Sequence, residues 1–296
     1  MITQKTSPQK KGQPLKTTVC KETNNLTRYA ILALLCLASA PAAGANPSNA
    51  NPTNSAPTSV KSSTKPPSTA SPKAAQTLSP QDIQFGEQQV KKMLVDRPQM
   101  AKILLKNEPI WPWAVRQLAG EAANQRIYWN SSALSDKGFE YDSDHSAPEP
   151  GEPGYIRLRK TDKYGKPMAA HRLLAALVFE CYNINSSPAF DRVYQAVLKG
   201  KLSKDQYIEQ NAQIEFEATR RTANFYRTVF EPLAKNRQYE IDPLYWEAES
   251  PTTYTAWRAQ YTDRAGYPWS FWGKNYDESI VPYLKAVKKY KAANKH

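Results

Sequence analysis

The chain has 296 residues with 40 basic and 27 acidic side chains, which gives a formal net charge of +13. The excess of positive charge lies near the two ends, because residues 80–284 contain 26 basic and 26 acidic side chains. A nucleic-acid-binding domain carries a basic patch on its folded surface, so this balance argues against a nucleic-acid partner. Only Cys181 lies beyond residue 45, which excludes an intramolecular disulfide in that part of the chain.

The first 45 residues have the order of a secretory signal peptide. Residues 1–28 are polar and basic, residues 30–38 are apolar, and Ala43-Gly44-Ala45 fits the small-residue cleavage pattern. The apolar stretch is shorter than the roughly 20 residues that a membrane-spanning helix needs. We therefore expect export to the periplasm or the cell exterior, with a mature N-terminus near Asn46. Retention of the leader as an anchor is the alternative.

The remaining chain divides into a linker and one domain. Residues 46–79 are mainly Asn, Pro, Ser, Thr and Ala without apolar periodicity, which predicts a disordered linker. Residues 80–296 are predicted to form a single globular domain. Capping residues and periodic apolar positions predict helices at about 80–95, 100–106, 113–124, 169–184, 187–199, 203–230, 250–261 and 279–293.

Two segments with strand-forming residues, 126–130 and 155–159, predict a small antiparallel sheet packed on a buried central helix over residues 169–184. The predicted fold class is therefore α+β and predominantly helical. The connection between the two strands holds Asp136, Glu140, Asp142, Asp144, His145, Glu149 and Glu152. We interpret it as an exposed acidic loop, with a calcium site as the alternative, because hard cations prefer several oxygen ligands.

The most informative segment is the central helix, in which Glu180 is the only charged residue between Leu173 and Tyr182. Apolar residues lie on every side of it, a pattern typical of a helix that is buried in a core. A glutamate is rarely buried without a partner. We therefore expect Glu180 to be protonated, paired with another residue or used in catalysis.

A second inward-facing glutamate is predicted on the long helix over residues 203–230. A helical projection places Glu215 near the centre of the apolar face, with Asn211 beside it. Asn183 follows Glu180 by three residues and shares its face. Two carboxyl groups close together in an apolar site can form an acid/base pair, so these four residues are candidate catalytic residues. The alternative is a buried polar network that fixes the packing of the two helices.

This helix pair resembles the core of the zincin metallopeptidases, whose active-site helix carries His-Glu-x-x-His and whose glutamate-liganded branch adds a Glu from a later helix. Glu180 matches the general base, while Phe179 and Asn183 replace the two histidine ligands. Glu215 matches the later ligand. The resemblance covers residues 126–230 and implies a degenerate relative that holds no metal and no other cofactor.

Two features near the C-terminus bear on partners. Eleven aromatic residues lie between residues 239 and 276, and they predict core packing, with a sugar-binding face as the alternative. The run 266–273 predicts a packed loop within this region. The five lysines after residue 284 are predicted to stay in solvent, where they are available to an anionic surface.

The sequence thus predicts an exported, tethered protein of the envelope or exterior. We favour a non-catalytic zincin-like scaffold that has an envelope polymer or a protein as its partner. Two alternatives stay open: a hydrolase, either peptidase or glycosidase, that uses Glu180 and Glu215, and an aromatic-rich glycan-binding module.

Overall fold

A computed structural model of the chain has a predominantly helical α+β fold, which confirms the predicted fold class. The structure describes residues 77–123, 125–131, 143–146, 154–162, 164–260 and 268–293. The predicted signal peptide and nearly all of the predicted linker lie outside these residues. Within the described ranges, no helix combines the length and the apolar character needed to cross a membrane.

Helices make up most of the described chain. The α-helices are α1 (Pro80–Asp96), α2 (Ile110–Leu118), α3 (Ala170–Asn185), α4 (Ser187–Leu198), α5 (Lys204–Phe225), α6 (Glu231–Arg237), α7 (Tyr254–Ala259), α8 (Trp269–Asn275) and α9 (Val281–Ala293). The 3-10 turns cover Pro98–Lys102 and Pro243–Trp246, and the π-helical turns cover Tyr226–Phe230 and Tyr276–Ile280. The helix expected at 100–106 is therefore a short 3-10 turn, and the long helix expected at 203–230 is α5 extended by a π-helical turn.

Two helices begin where local sequence predicts them. The Ser79 hydroxyl accepts a hydrogen bond from the Asp82 backbone N–H, and the Asp82 carboxylate accepts one from the Ser79 N–H in return. Ser203 and Gln206 make the same reciprocal pair at the start of α5. These bonds satisfy backbone donors that the first turn of a helix leaves unpaired.

The sheet has three strands in the order β1-β3-β2 and is mixed. β1 (Ile127–Trp129) pairs in parallel with β3 (Gly154–Leu158), and β2 (Ser143–Ser146) pairs antiparallel with β3. The antiparallel pairing expected between 126–130 and 155–159 is thereby corrected. The connection between these segments contributes a strand of its own and reverses the chain twice, so that β3 runs in the same direction as β1.

The central helix α3 lies in the main core. Leu173, Leu174, Leu177 and Val178 are all fully buried, in agreement with the apolar character of every face of this helix. α3 packs against α5 and also contacts β2 and β3. This arrangement brings the inward faces of both predicted helices, and one edge strand of the sheet, to the same region.

The aromatic residues near the C-terminus belong mostly to packed cores. Trp246, Trp257 and Trp269 are buried, which confirms the core-packing interpretation for these three side chains. Trp269 begins α8, so the packed loop expected at 266–273 is corrected to a helix from Trp269 onward. The ring centres of Trp269 and Trp257 lie 5.2 Å apart. The ring of Trp257 in turn packs against that of Phe216 on α5. Aromatic contacts between helices, rather than turn residues, define this region.

Candidate functional site

Glu180 is buried in α3 and is bonded to the edge strand of the sheet. Its side chain accepts a hydrogen bond at one carboxylate oxygen from the Ser143 hydroxyl and at the other from His145 Nδ1, at 2.5 Å. Ser143 and His145 are two residues apart in β2 and therefore point to the same face of the strand. Of the three states expected for Glu180, the structure has the paired one, with two donors from one strand.

His145 is partly exposed, with 26 % of its side chain accessible, compared with 6 % for that of Glu180. Burial of the ring opposes protonation, but the charge and hydrogen bond of Glu180 outweigh it, and the charges of Glu215 and Asp144 add to them, so the pKa of His145 is raised above 6.5. Asp144 is itself paired with Arg157 across the β2–β3 ladder. Below this raised pKa the imidazole is a cation, and the charges of Glu180, Glu215 and Asp144 stabilise it.

Glu215 is bonded to α3 through the second predicted site residue on that helix. Asn183 Nδ2 donates to Glu215 Oε2 at 2.9 Å, and both side chains are buried. This bond joins α3 to α5, as the inward faces of the two helices predict. Glu180 is hydrogen-bonded to β2, whereas Glu215 is hydrogen-bonded to Asn183. The negative charges of both carboxylates raise the pKa of His145.

Asn211 is buried on the inward face of α5, as expected from the helical projection. Its Nδ2 donates to the Tyr207 carbonyl one turn earlier in α5, at 2.9 Å. The structure therefore gives it a bond within its own helix. The side-chain oxygens of Asn211 and Asn183 are both buried without a hydrogen-bond partner, an arrangement that usually marks a place for an ordered water. We refer below to Ser143, His145, Glu180, Asn183 and Glu215 as the polar cluster.

Three members of the polar cluster, Glu180, Asn183 and Glu215, could be predicted from the sequence, and two could not. Ser143 and His145 fall in the connection that was interpreted as an exposed acidic loop, and they lie in β2. No strand signal marks this segment, because Ser143, Asp144 and His145 are all polar. Once the segment pairs as a strand, its alternation places the serine and the histidine on one face and the aspartate on the other. The partner of Asp144 is Arg157, and the other acidic residues of this connection lie outside the described residues, so the calcium alternative stays untested.

The remaining zincin position, Phe179, and the nearby His171 do not supply metal ligands to the polar cluster. Phe179 is partly exposed on α3 and offers no donor atom. His171, on the same helix, is buried with its Nδ1 3.7 Å from Glu240 and its ring 5.8 Å from that of Tyr245, away from the polar cluster. In the part of the chain that the structure describes, no three His, Cys, Asp or Glu side chains form a group that could hold a metal ion.

Comparison with known protein families, with curated proteins and with solved structures finds no match to this chain.

Proposed function

We propose that the protein is an exported component of the cell envelope or exterior in which a zincin-like helix pair serves as a non-catalytic scaffold. The single observation that carries this proposal is the bonding of Glu180. Both of its oxygens accept hydrogen bonds from β2, one from Ser143 and one from His145. A general base needs a lone pair directed at the water or substrate that it deprotonates. Here one acceptor site on each oxygen is directed at β2, and the side chain is only 5 % exposed, which leaves little access for a water or a substrate to the other sites.

The scaffold role follows from what the polar cluster joins. Ser143 and His145 fasten the edge strand β2 to α3, and Asn183 fastens α3 to α5 through Glu215. Strand β2 is only four residues long and lies at the edge of the sheet, so backbone pairing on one side gives it little stability alone. Charge-assisted bonds to a buried carboxylate compensate for that short ladder.

Export and tethering are part of the proposal and are supported by the sequence. The order of basic, apolar and small residues before Asn46 is that of a signal peptide. The Pro/Ser/Thr-rich segment 46–79 supplies a spacer. The lysines of α9 are exposed, including Lys285, Lys288 and Lys289. These side chains near the C-terminus can contact an anionic surface.

A hydrolase is the second candidate, and one specific observation favours it. Glu180 bonds to Nδ1 of a histidine that is partly exposed, and a carboxylate in that position orients the ring so that Nε2 exchanges protons with a substrate. In this case His145 would be the acid/base group, and Glu180 would position it.

One experiment separates the two candidates. The purified full-length protein, its His145→Gln variant and its Glu180→Gln variant are incubated with a protein substrate, casein, and with purified peptidoglycan, and released amines and reducing ends are measured. The scaffold proposal expects no turnover above that of buffer in any of the three. Turnover by the wild type that falls at least about 100-fold in His145→Gln would replace the scaffold with the hydrolase.

A further inference from the structure

A second polar site lies on the outer side of α5, where a cleft of about 300 Å³ is open to solvent. Its walls are the charged face of α5, the following π-helical turn, the segment 247–252 and the side chain of Tyr182 from α3. Glu217 and Arg220 lie on the half of α5 opposite to Glu215 in helical projection, and the residues that line the cleft include no member of the polar cluster. The cleft is therefore separate from the polar cluster.

Three arginines line this cleft, and two of them are held in place. The Arg227 guanidinium donates to the Ala248 carbonyl on the opposite wall. Arg220 lies 3.6 Å from Glu217 and 6.0 Å from the centre of the Phe216 ring. Within the described residues, Arg221 has no ion-pair partner, so its five N–H donors are left to solvent or to a ligand.

Among the described contacts, neither acidic residue of the cleft forms an ion pair with Arg221. Glu217 is paired with Arg220, and Glu247 accepts a hydrogen bond from the Ser250 hydroxyl on its own wall. Glu247 also has a positive φ of 53° at the end of the preceding 3-10 turn. This bend directs the segment 247–252 along α5 and forms the second wall.

The rest of the lining is hydroxyl and amide groups. Thr219 and Asn224 come from α5, Thr252 comes from the opposite wall, and Tyr182 adds the edge of an aromatic ring. The volume falls at the lower end of the range for small-ligand sites. Guanidinium groups match the planar carboxylate in a bidentate manner, while short hydroxyl and amide side chains match the hydroxyls of a sugar ring.

We propose that this cleft binds the carboxylate of an acidic sugar, with Arg221 as the ligand-binding cation and Arg227, whose guanidinium is held by the Ala248 carbonyl, as a second positive charge in the cleft. The ring hydroxyls of the sugar meet Thr219, Asn224 and Thr252. The proposal does not depend on whether the polar cluster is catalytic, because the two sites share no residue.

Calorimetric titration of the full-length protein with a galacturonic acid trimer tests this assignment. We expect binding that weakens as salt is raised from 20 to about 200 mM, because the contact is partly between charges. The neutral galactose trimer and inorganic phosphate serve as comparison ligands. Arg221→Gln should weaken trimer binding at least about tenfold, whereas the matched loss of one charge in Arg192→Gln, on α4 outside the cleft, should change it less than about twofold.

Other outcomes would overturn the assignment in distinct ways. No trimer binding at millimolar concentration removes the proposal altogether. Phosphate that binds as tightly as the trimer would mean that the cleft holds any oxyanion and does not recognise a sugar. Binding that is lost in His145→Gln but kept in Arg221→Gln would place the ligand at the polar cluster instead.

Discussion

Replacing His145 with glutamine removes the only imidazole of the polar cluster while keeping a side chain that can donate a hydrogen bond. Glu180 is 5 % exposed, so in the variant a buried carboxylate keeps the hydrogen bond from the Ser143 hydroxyl but loses its charged partner. Hydrogen bonds to charged groups contribute about 1.5–3 kcal/mol. We therefore expect His145→Gln to lower the free energy of unfolding by about 2 kcal/mol at pH 5.5, which corresponds to about 4–8 °C in Tm for a domain of this size.

The effect should depend on pH in a defined direction. The pKa of His145 is raised because the Glu180, Glu215 and Asp144 charges together outweigh the burial of the ring. The folded protein therefore holds this proton more tightly than the unfolded chain does. The stability that it contributes is complete below about pH 6.5 and is lost as the pH rises through the folded pKa. At pH 8.5 we expect wild type and His145→Gln to differ by less than about 1 kcal/mol.

Urea unfolding followed by tryptophan fluorescence at pH 5.5, 7.0 and 8.5 measures this difference. Ser143→Ala is the matched control, because it removes the other donor to Glu180 without removing a titrating group, and its cost should be about 1.5–3 kcal/mol and equal at each pH. A His145→Gln variant whose cost is equal at all three pH values, or is largest at pH 8.5, would refute the assignment of His145 as the cation that pairs with Glu180.

Three further predictions concern other parts of the chain. Gly86→Ala should cost about 3 kcal/mol or more in urea unfolding, because an added Cβ would lie 2.2 Å from the Val115 carbonyl oxygen; Gly200→Ala, which has open space but a φ of 69°, should cost about 1 kcal/mol. Intact-mass measurement of the exported protein should give a mature N-terminus near Asn46, and retention of an intact Met1 in the cytoplasm would contradict it. The purified protein should carry no stoichiometric zinc, and about one zinc per chain that is lost on Glu180→Ala would contradict this.

The features that could be predicted from the sequence are those that local rules determine. Ser79 and Ser203 cap their helices because the bonds they form involve residues only three positions away. The burial of Glu180 followed from the apolar faces around it, and the contact of α3 with α5 followed from two inward-facing polar pairs. In each case the information lies within one helix or between two helix faces.

The features that could not be predicted depend on contacts between distant segments. The parallel pairing of β1 with β3 depends on a third strand whose sequence, Ser143-Asp-His-Ser146, has none of the β-branched or aromatic residues typical of strands. Its place is fixed instead by its ladder with β3 and by the bonds from His145 and Ser143 to Glu180, 35 and 37 residues away. A polar side chain in a segment that the sequence predicts to be solvent-exposed can therefore form the hydrogen bond that holds an edge strand in place.

The partner of Glu180 also determines how the stability of the protein changes when Glu180 is replaced. A protonated carboxyl would tolerate Glu180→Gln, whereas a carboxylate paired with a cation would not, and the sequence left both cases open. Because His145 is a cation below its raised pKa, we expect Glu180→Gln to cost about 2 kcal/mol at pH 5.5 and less than about 1 kcal/mol at pH 8.5.

The double variant Glu180→Gln/His145→Gln tests whether these two costs are the same interaction. If they are, each substitution at pH 5.5 should cost little once the other is present, so the coupling energy should be about 1–2 kcal/mol there and close to zero at pH 8.5. Glu180→Leu removes the acceptor for both Ser143 and His145 and should therefore destabilise the fold at every pH. Glu180→Gln that is more stable than wild type at pH 7 would instead mean that the carboxyl is protonated in the native state, because only then does an amide replace it without loss of charge pairing.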